Sequence, residues 1–172
     1  QRGRKILMRI RPPSLEEIGF LTDLGNRTGI FKDGEAEELL GTTLQSFFKG
    51  SLRETHKVHV LEQDSSIKGW VYFGCDNFEE DRDIWDLWWI GVDPQFQGQG
   101  YGKRLLTFVE DIVMETSANA DKAVLLRIET SSAEEFNKTR DFYRLMGYKE
   151  ERIVANAYGP GEDKVVLTKG FH

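Results

Sequence analysis

The segment Asp93–Leu106, DPQFQGQGYGKRLL, sets Gly98, Gly100 and Gly102 at alternate positions and follows them with Lys103 and Arg104. Glycine in a helix or strand interior costs roughly 0.5–1 kcal/mol relative to alanine. Three so close together point to a backbone with a task. A glycine-rich turn between a strand and a helix turns sharply and aims several N–H groups at one point. The helix N-terminus adds partial positive charge, and together these suit a phosphate. Two well-known phosphate patterns fail. Counting back from Gly102, a P-loop needs Gly where Gln97 stands and Ser or Thr where Arg104 stands. The dinucleotide fingerprint needs its third Gly at Lys103. What fits is Gln97-x-x-Gly100-x-Gly102.

Such a turn must be held between a strand and a helix, and the chain supplies both. IWDLWWIGVD reads as a strand stopped by Pro94. From Lys103 to Glu115, the residues Leu105, Phe108, Val109, Ile112 and Val113 fall on one helical face. Upstream, KILMRIR (Lys5–Arg11) reads as a first strand. Ser14 with Glu17 forms a capping box for a helix ending near Gly25. Asp33 is positioned to cap a second helix carrying Ala36, Leu39, Leu40, Leu44 and Phe47, which Gly50 ends. HKVHVLEQ and IKGWVYFGC read as paired strands across the tight turn DSS. The acidic stretch Asp76–Asp83 reads as a loop. Downstream, AVLLRIET is a buried-looking strand. SAEEFNKTRDFYRLMG reads as a helix with a Ser132/Glu135 capping box and Gly147 as its stop. YKEERIVANAY and DKVVLTK form the last two strands. The order is β-α-α-β-β-β-α-β-α-β-β with no linker, repeat or low-complexity segment, which predicts one mixed α/β domain over residues 1–172.

Composition narrows the function. Apolar residues make up 39% and charged residues 30%, as in a water-soluble globular chain. The net charge of −6 argues against a nucleic-acid backbone as partner and leaves cationic acceptors open. One cysteine, Cys75, excludes an internal disulfide and fits a reducing, cytoplasmic setting. No apolar run approaches the ~18 residues that span a bilayer. The basic N-terminus has too short an apolar run for a signal peptide. The chain begins at Gln1 rather than Met, which is compatible with residues having preceded it. His56, His59 and His172 show no metal-ligand spacing.

The stretch WWIGVDPQFQGQGYGKRLLTFVE resembles the acyl-CoA-binding motif of the GNAT superfamily of N-acyltransferases over its full length. TRDFYRLMGYKEE is similar to that family's later helix, and the element order matches as well. WDLWW and YGPGEDK look like a branch of small bacterial members. The resemblance implies the family's fold, with a bulged and splayed central strand, and an acetyl-CoA site. Backbone N–H groups of Gln97, Gly98, Gln99, Gly100, Tyr101, Gly102 and Lys103 would cradle the pyrophosphate. Main-chain groups of Ile90, Gly91 and Val92 would meet the pantetheine arm, with Gly91 suited to a bulge. An N–H there would polarise the thioester carbonyl.

The resemblance also implies an acid. Tyr143 stands at the place of the family's Tyr, and a phenol can protonate a departing thiolate. An attacking amine must first lose a proton. Asp86, eleven residues before Gln97, sits at the offset of the general-base Glu in some histone-acetylating members. Trp85 and Trp88 beside it are expected to desolvate its carboxylate. Glu129 is the second candidate base. The chain departs from the family at Phe136, where many members carry Asn, with Asn137 one residue off, and at Thr139 in place of Ala. A covalent route through Cys75 is not expected. The implied reaction is direct transfer to a primary amine, either on a small amine or amino-acid-like metabolite, or on a protein N-terminus or lysine. A non-catalytic acyl-CoA-binding module is the rival, and a longer acyl chain stays open, although Trp88 and Trp89 argue for a short one. A homodimer is compatible with the family.

Overall fold

Local signals build most elements in the expected places. The computed structural model describes residues 7–118 and 121–171. In chain order these are β1 (Met8–Arg11), α1 (Ile18–Arg27), α2 (Gly41–Phe48), β2 (Lys57–Gln63), β3 (Ser66–Phe78), β4 (Arg82–Val92), α3 (Tyr101–Ala118), β5 (Ala123–Ser131), α4 (Asn137–Leu145), β6 (Lys149–Gly159) and β7 (Glu162–Phe171). The strands hydrogen-bond in the order β1-β2-β3-β4-β5-β7-β6. The β4–β5 ladder is parallel, and β1–β2, β2–β3, β5–β7 and β7–β6 are antiparallel. This is the mixed α/β fold the sequence predicts, in the predicted order.

The chain forms two compact units, Gln1–Phe73 with Trp89–Phe108, and Gly74–Trp88 with Val109–His172. In the first unit, Leu21 and Leu24 of α1 and Leu40 and Leu44 are fully buried, together with Val60 and Leu61 of β2, Trp70 of β3 and Leu105 of α3. Burying each such side chain contributes about 1.5–3 kcal/mol. Gly25 lets α1 approach the next helical segment, because a Cβ there would lie 2.9 Å from Leu40 Cδ2. In the second unit, Leu126 and Ile128 of β5, Leu167 of β7, Val113 of α3 and Tyr143 of α4 are buried. Glu110 is buried with them. It accepts from the Tyr148 hydroxyl at 3.0 Å and pairs with Lys169 at 3.1 Å, so its charge is compensated.

Several expected boundaries shift, each for a physical reason. The first strand starts at Met8, and residues 5 and 6 of its expected span lie outside the described residues. Ser14 and Glu17 do form the capping box, with Ser14 N donating to Glu17 Oε1 at 2.7 Å, but α1 runs past Gly25 to Arg27. Asp33 does not cap the second helix. Gly34 takes a left-handed φ of +83°, so the helical path restarts at Ala36 as a π-turn through Leu40. The acidic stretch is not a loop: β3 continues to Phe78, β4 begins at Arg82, and only residues 79–81 turn. Glu79 N donates to Arg82 O at 2.8 Å, and strand pairing overrides the weak strand preference of Asp and Asn. The Ser132/Glu135 box does not form either. Ser132 Oγ is taken by Asp163 N at 2.8 Å, and Ser131 Oγ accepts from Ala133 N instead.

His59 of β2 carries a pH consequence. Its ring lies 4.8 Å from that of Phe108, and among the described residues its buried Nδ1 has no hydrogen-bond partner. Desolvation, with Lys57 second, pushes its pKa down to about 4 from 6.5. Between those values the unfolded chain binds the proton and the folded chain does not, so stability falls as pH drops from 6.5 to 4. Discounted for residual solvent access, the loss is about 1–2 kcal/mol. His59→Phe keeps the aromatic packing and cannot titrate. Thermal unfolding at pH 7 and pH 4.5 should show its melting temperature falling by ~2–6 °C less than that of the unmodified protein. Glu17, held at about 2 chiefly by Arg11, acts only at lower pH.

Candidate active site

The glycine turn belongs to the first unit and is anchored at its entrance. Asp93 is buried. Its carboxylate accepts from Gln95 N at 3.0 Å and from Arg27 Nη1 at 3.1 Å, while its N–H donates to Lys68 O at 2.8 Å. Lys68 is the extra residue of a β2–β3 register shift, since Leu61 pairs with Gly69 and Glu62 with Ile67. Its Nζ sits 3.5 Å from the Phe96 ring centroid. After this entrance the backbone opens. Gly98 and Gly100 take left-handed φ values of +78° and +87°, and a Cβ on either would meet nothing within 4 Å. The free space over both residues is the approach a bulky anion needs.

Helix α3 starts directly on this turn, its first bond running from Arg104 N to Gly100 O at 3.1 Å. The N–H groups of Tyr101, Gly102 and Lys103 precede that bond and have no acceptor within the helix. No acidic side chain occupies the first turn, which carries Lys103 and Arg104. Cations there oppose the helix dipole at about 0.3–1 kcal/mol each. An anion on the turn reverses that cost. Tyr101 has a second job: its side chain is buried, and its hydroxyl donates to Gln63 Oε1 at 2.6 Å, locking the start of α3 to β2. Gln97 Nε2 donates back to Val92 O at 3.4 Å.

Before the turn, Ile90 and Val92 are half-buried. Gly91 between them answers a packing need: a Cβ there would lie 2.8 Å from Trp70 Nε1 and 3.1 Å from Thr28 Cγ2. Gly69 of β3 is equally constrained, because a Cβ there would lie 2.6 Å from Gly91 O.

The acid and base candidates belong to the second unit. The parallel register sets Asp86 beside Arg127 and ends one rung later at Leu87 and Ile128, while β4 runs on to Val92 and β5 to Ser131. Arg127 grips both Asp86 oxygens, Nε to Oδ1 at 2.6 Å and Nη2 to Oδ2 at 3.0 Å. Asp86 is thus held in an ion pair, with Trp88 two residues along on its own face of β4. Strand alternation puts Trp85 on the opposite face from Asp86. The carboxylate raises the Arg127 pKa, chiefly through this hydrogen bonding. Glu129, two residues on from Arg127, shares its face and is more open. Its Oε2 pairs with Lys164 Nζ at 3.3 Å.

Tyr143 is buried on α4, its ring 6.0 Å from that of Tyr148 and 5.4 Å from that of Phe142. Burial pushes its phenol well above the ordinary value, so the proton stays on at any working pH. Asn137, one residue from the family's Asn position, has its Oδ1 taken by Arg140 of the same helix. Arg140 also holds the carbonyls of Ser131 and Ala133, clasping α4 to the end of β5. Cys75 donates to Ile84 O at 3.2 Å, and burial pushes its thiol up to about 11, which disfavours the thiolate a covalent route requires. Sequence reading missed Arg127, although a lone cation within the apolar run of β5 was the available signal. Among the described residues no group of three metal-ligating side chains occurs, and no helix is long and apolar enough to cross a membrane.

Comparison with known proteins identifies the family. Residues 54–150, more than half of the chain, match the family described as the acetyltransferase (GNAT) domain. The chain is 30% identical over 98 residues to an S-alkylcysteine N-acetyltransferase of Bacillus subtilis (strain 168), a match covering 56% of this chain and 53% of the relative. It thus spans about half the length of that curated relative. Among solved structures, a GNAT-family protein from Desulfovibrio desulfuricans superposes with a TM-score of 0.80 at 22% identity, covering 95% of this chain and 98% of the other. The PaiA N-acetyltransferase from Thermoplasma acidophilum, solved with coenzyme A, gives 0.67 at 17% identity, covering 96% and 98%. At these identities the likeness is one of fold, and the match over residues 54–150 carries the assignment: this chain belongs to the GNAT family of acetyltransferases.

Proposed function

We propose that the chain transfers an acetyl group from acetyl-CoA to a primary amine by direct attack in a ternary complex. The observation that carries this reading is the open glycine turn, with left-handed Gly98 and Gly100 leading into the acid-free, basic first turn of α3. The residues fit a pyrophosphate: free space over the glycines, N–H groups without helical acceptors, and two cations. Bound acetyl-CoA supplies an activated acetyl group as a thioester. Backbone groups from Gln97 to Lys103 hold the phosphates, and main-chain groups of Ile90, Gly91 and Val92 align the pantetheine arm.

Of the two candidate bases, Glu129 is the better supported, because both oxygens of Asp86 are engaged by Arg127. Glu129 accepts one proton from the incoming ammonium. The nitrogen attacks, and a C–N bond forms as the C–S bond breaks. Tyr143 delivers its phenolic proton to the departing sulfur and is restored by the second proton the nitrogen sheds. The acceptor is a small amine or amino-acid-like metabolite, in keeping with the S-alkylcysteine named for the Bacillus relative. The test is CoA thiol release from acetyl-CoA with a panel of amines and amino acids. Turnover with at least one acceptor is expected. Saturable acetyl-CoA binding without any turnover would instead favour a binding module.

A further inference from the structure

Arg127 has binding capacity to spare. A guanidinium presents two edges that can grip a carboxylate through paired N–H groups. Asp86 occupies the Nε/Nη2 edge, which leaves the Nη1/Nη2 end. Among the described residues Nη1 has no hydrogen-bond partner, and a quarter of the Arg127 side chain is exposed. Asp86, one rung from where the parallel ladder ends, fixes the plane of that guanidinium. It is a positioning residue. Glu129 lies two residues along on the same face, with Lys164 on Oε2 and, among the described residues, Oε1 left to accept. Residues two apart on a strand are separated by ~7 Å, within reach of one small molecule held by two long side chains.

From this arrangement we infer that the acceptor is a zwitterionic α-amino acid, its carboxylate gripped by the free edge of Arg127 and its ammonium by Glu129. The inference rests on the acetyl-transfer reading above and names its substrate class. Charge supports it. Asp86, Arg127, Glu129 and Lys164 sum to zero, and two further negative charges lie nearby: Glu151 of β6, which acts on Arg127, and Glu162 of β7, bonded to the Ser131 hydroxyl at 2.6 Å. A bare carboxylate would meet that negative surround, and a simple amine would leave the guanidinium edge unused. A zwitterion satisfies both ends without adding net charge. The carboxylate requirement also disfavours a protein N-terminus, whose α-carboxyl is locked in a peptide bond.

The experiment compares, in the full chain, thiol release from acetyl-CoA with methionine, S-methylcysteine and the other common α-amino acids, each against its amide and its decarboxylated amine. The expected result is a kcat/KM preference of roughly tenfold or more for the amino acid over its amide, the scale on which a lost charge-assisted contact discriminates. Arg127→Lys keeps the charge but loses the fork, and should collapse that ratio toward one. The ratio in the unmodified protein stands on its own should the variant fail to fold. Amides or decarboxylated amines turned over as well as the amino acids would overturn the inference while leaving acetyl transfer intact. No thiol release with any of the three classes would overturn both.

Discussion

Tyr143→Phe is expected to lower kcat about 10²-fold or more, the range a positioned general acid supplies, with the KM for acetyl-CoA nearly unchanged. The variant isolates chemistry from packing. Tyr143 is buried against Phe142 and Tyr148, and phenylalanine retains that ring contact. Melting temperature should therefore move little while turnover drops. Because burial raises the phenol's pKa, the unmodified enzyme should show no alkaline loss of kcat near pH 10 from ionisation of this group. Steady-state kinetics across pH 6–10, with thermal unfolding of both proteins, checks each point. A Tyr143→Phe enzyme with full kcat would remove Tyr143 from the proton path and leave it a core aromatic.

Gly100→Glu is expected to abolish the stabilisation that acetyl-CoA confers. At about 100 times its dissociation constant, a ligand specific to the folded state adds ~2.7 kcal/mol. In the free protein a Cβ at Gly100 meets no neighbour within 4 Å, so a side chain can leave the backbone there without an immediate clash. The left-handed backbone costs roughly 1–2 kcal/mol for a non-glycine residue. The larger effect falls on the complex. A carboxylate would occupy the space a phosphate needs and place negative charge on the same helix terminus. Thermal unfolding with and without acetyl-CoA reads this directly. Desulfo-CoA, which keeps the pyrophosphate, should shift the unmodified protein as well. An undiminished shift in Gly100→Glu would move the phosphate site away from the glycine turn.

The two carboxylates of the β4–β5 face divide their work by their surroundings. Asp86 and Glu129 are both acidic residues on strands near the end of a parallel ladder. One is saturated by a guanidinium, and the other keeps an oxygen open. That difference makes Asp86 an anchor for Arg127 and leaves Glu129 as the more open carboxylate of the pair. Cys75, the lone thiol of the sequence, donates to the Ile84 carbonyl.

Much of this was legible in the sequence, because much of it is local. Element order follows from alternation, helical spacing and punctuation by Pro and Gly, all of which act within a few residues. The glycine turn is local too: only glycine accepts the φ values at 98 and 100 cheaply, so the spacing announces the backbone. Tyr143 is legible as a position on a helix with a Gly stop. What tertiary structure decided is what depends on partners distant in the chain. Arg127 is 41 residues from Asp86, and Gln63 is 38 from Tyr101; neither pairing exists until strand register is set. Asp163, 31 residues away, claims the Ser132 hydroxyl that the local pattern assigns to a helix cap. A side chain's type and spacing determine which bonds it can make, but which one forms depends on the neighbours that the fold delivers.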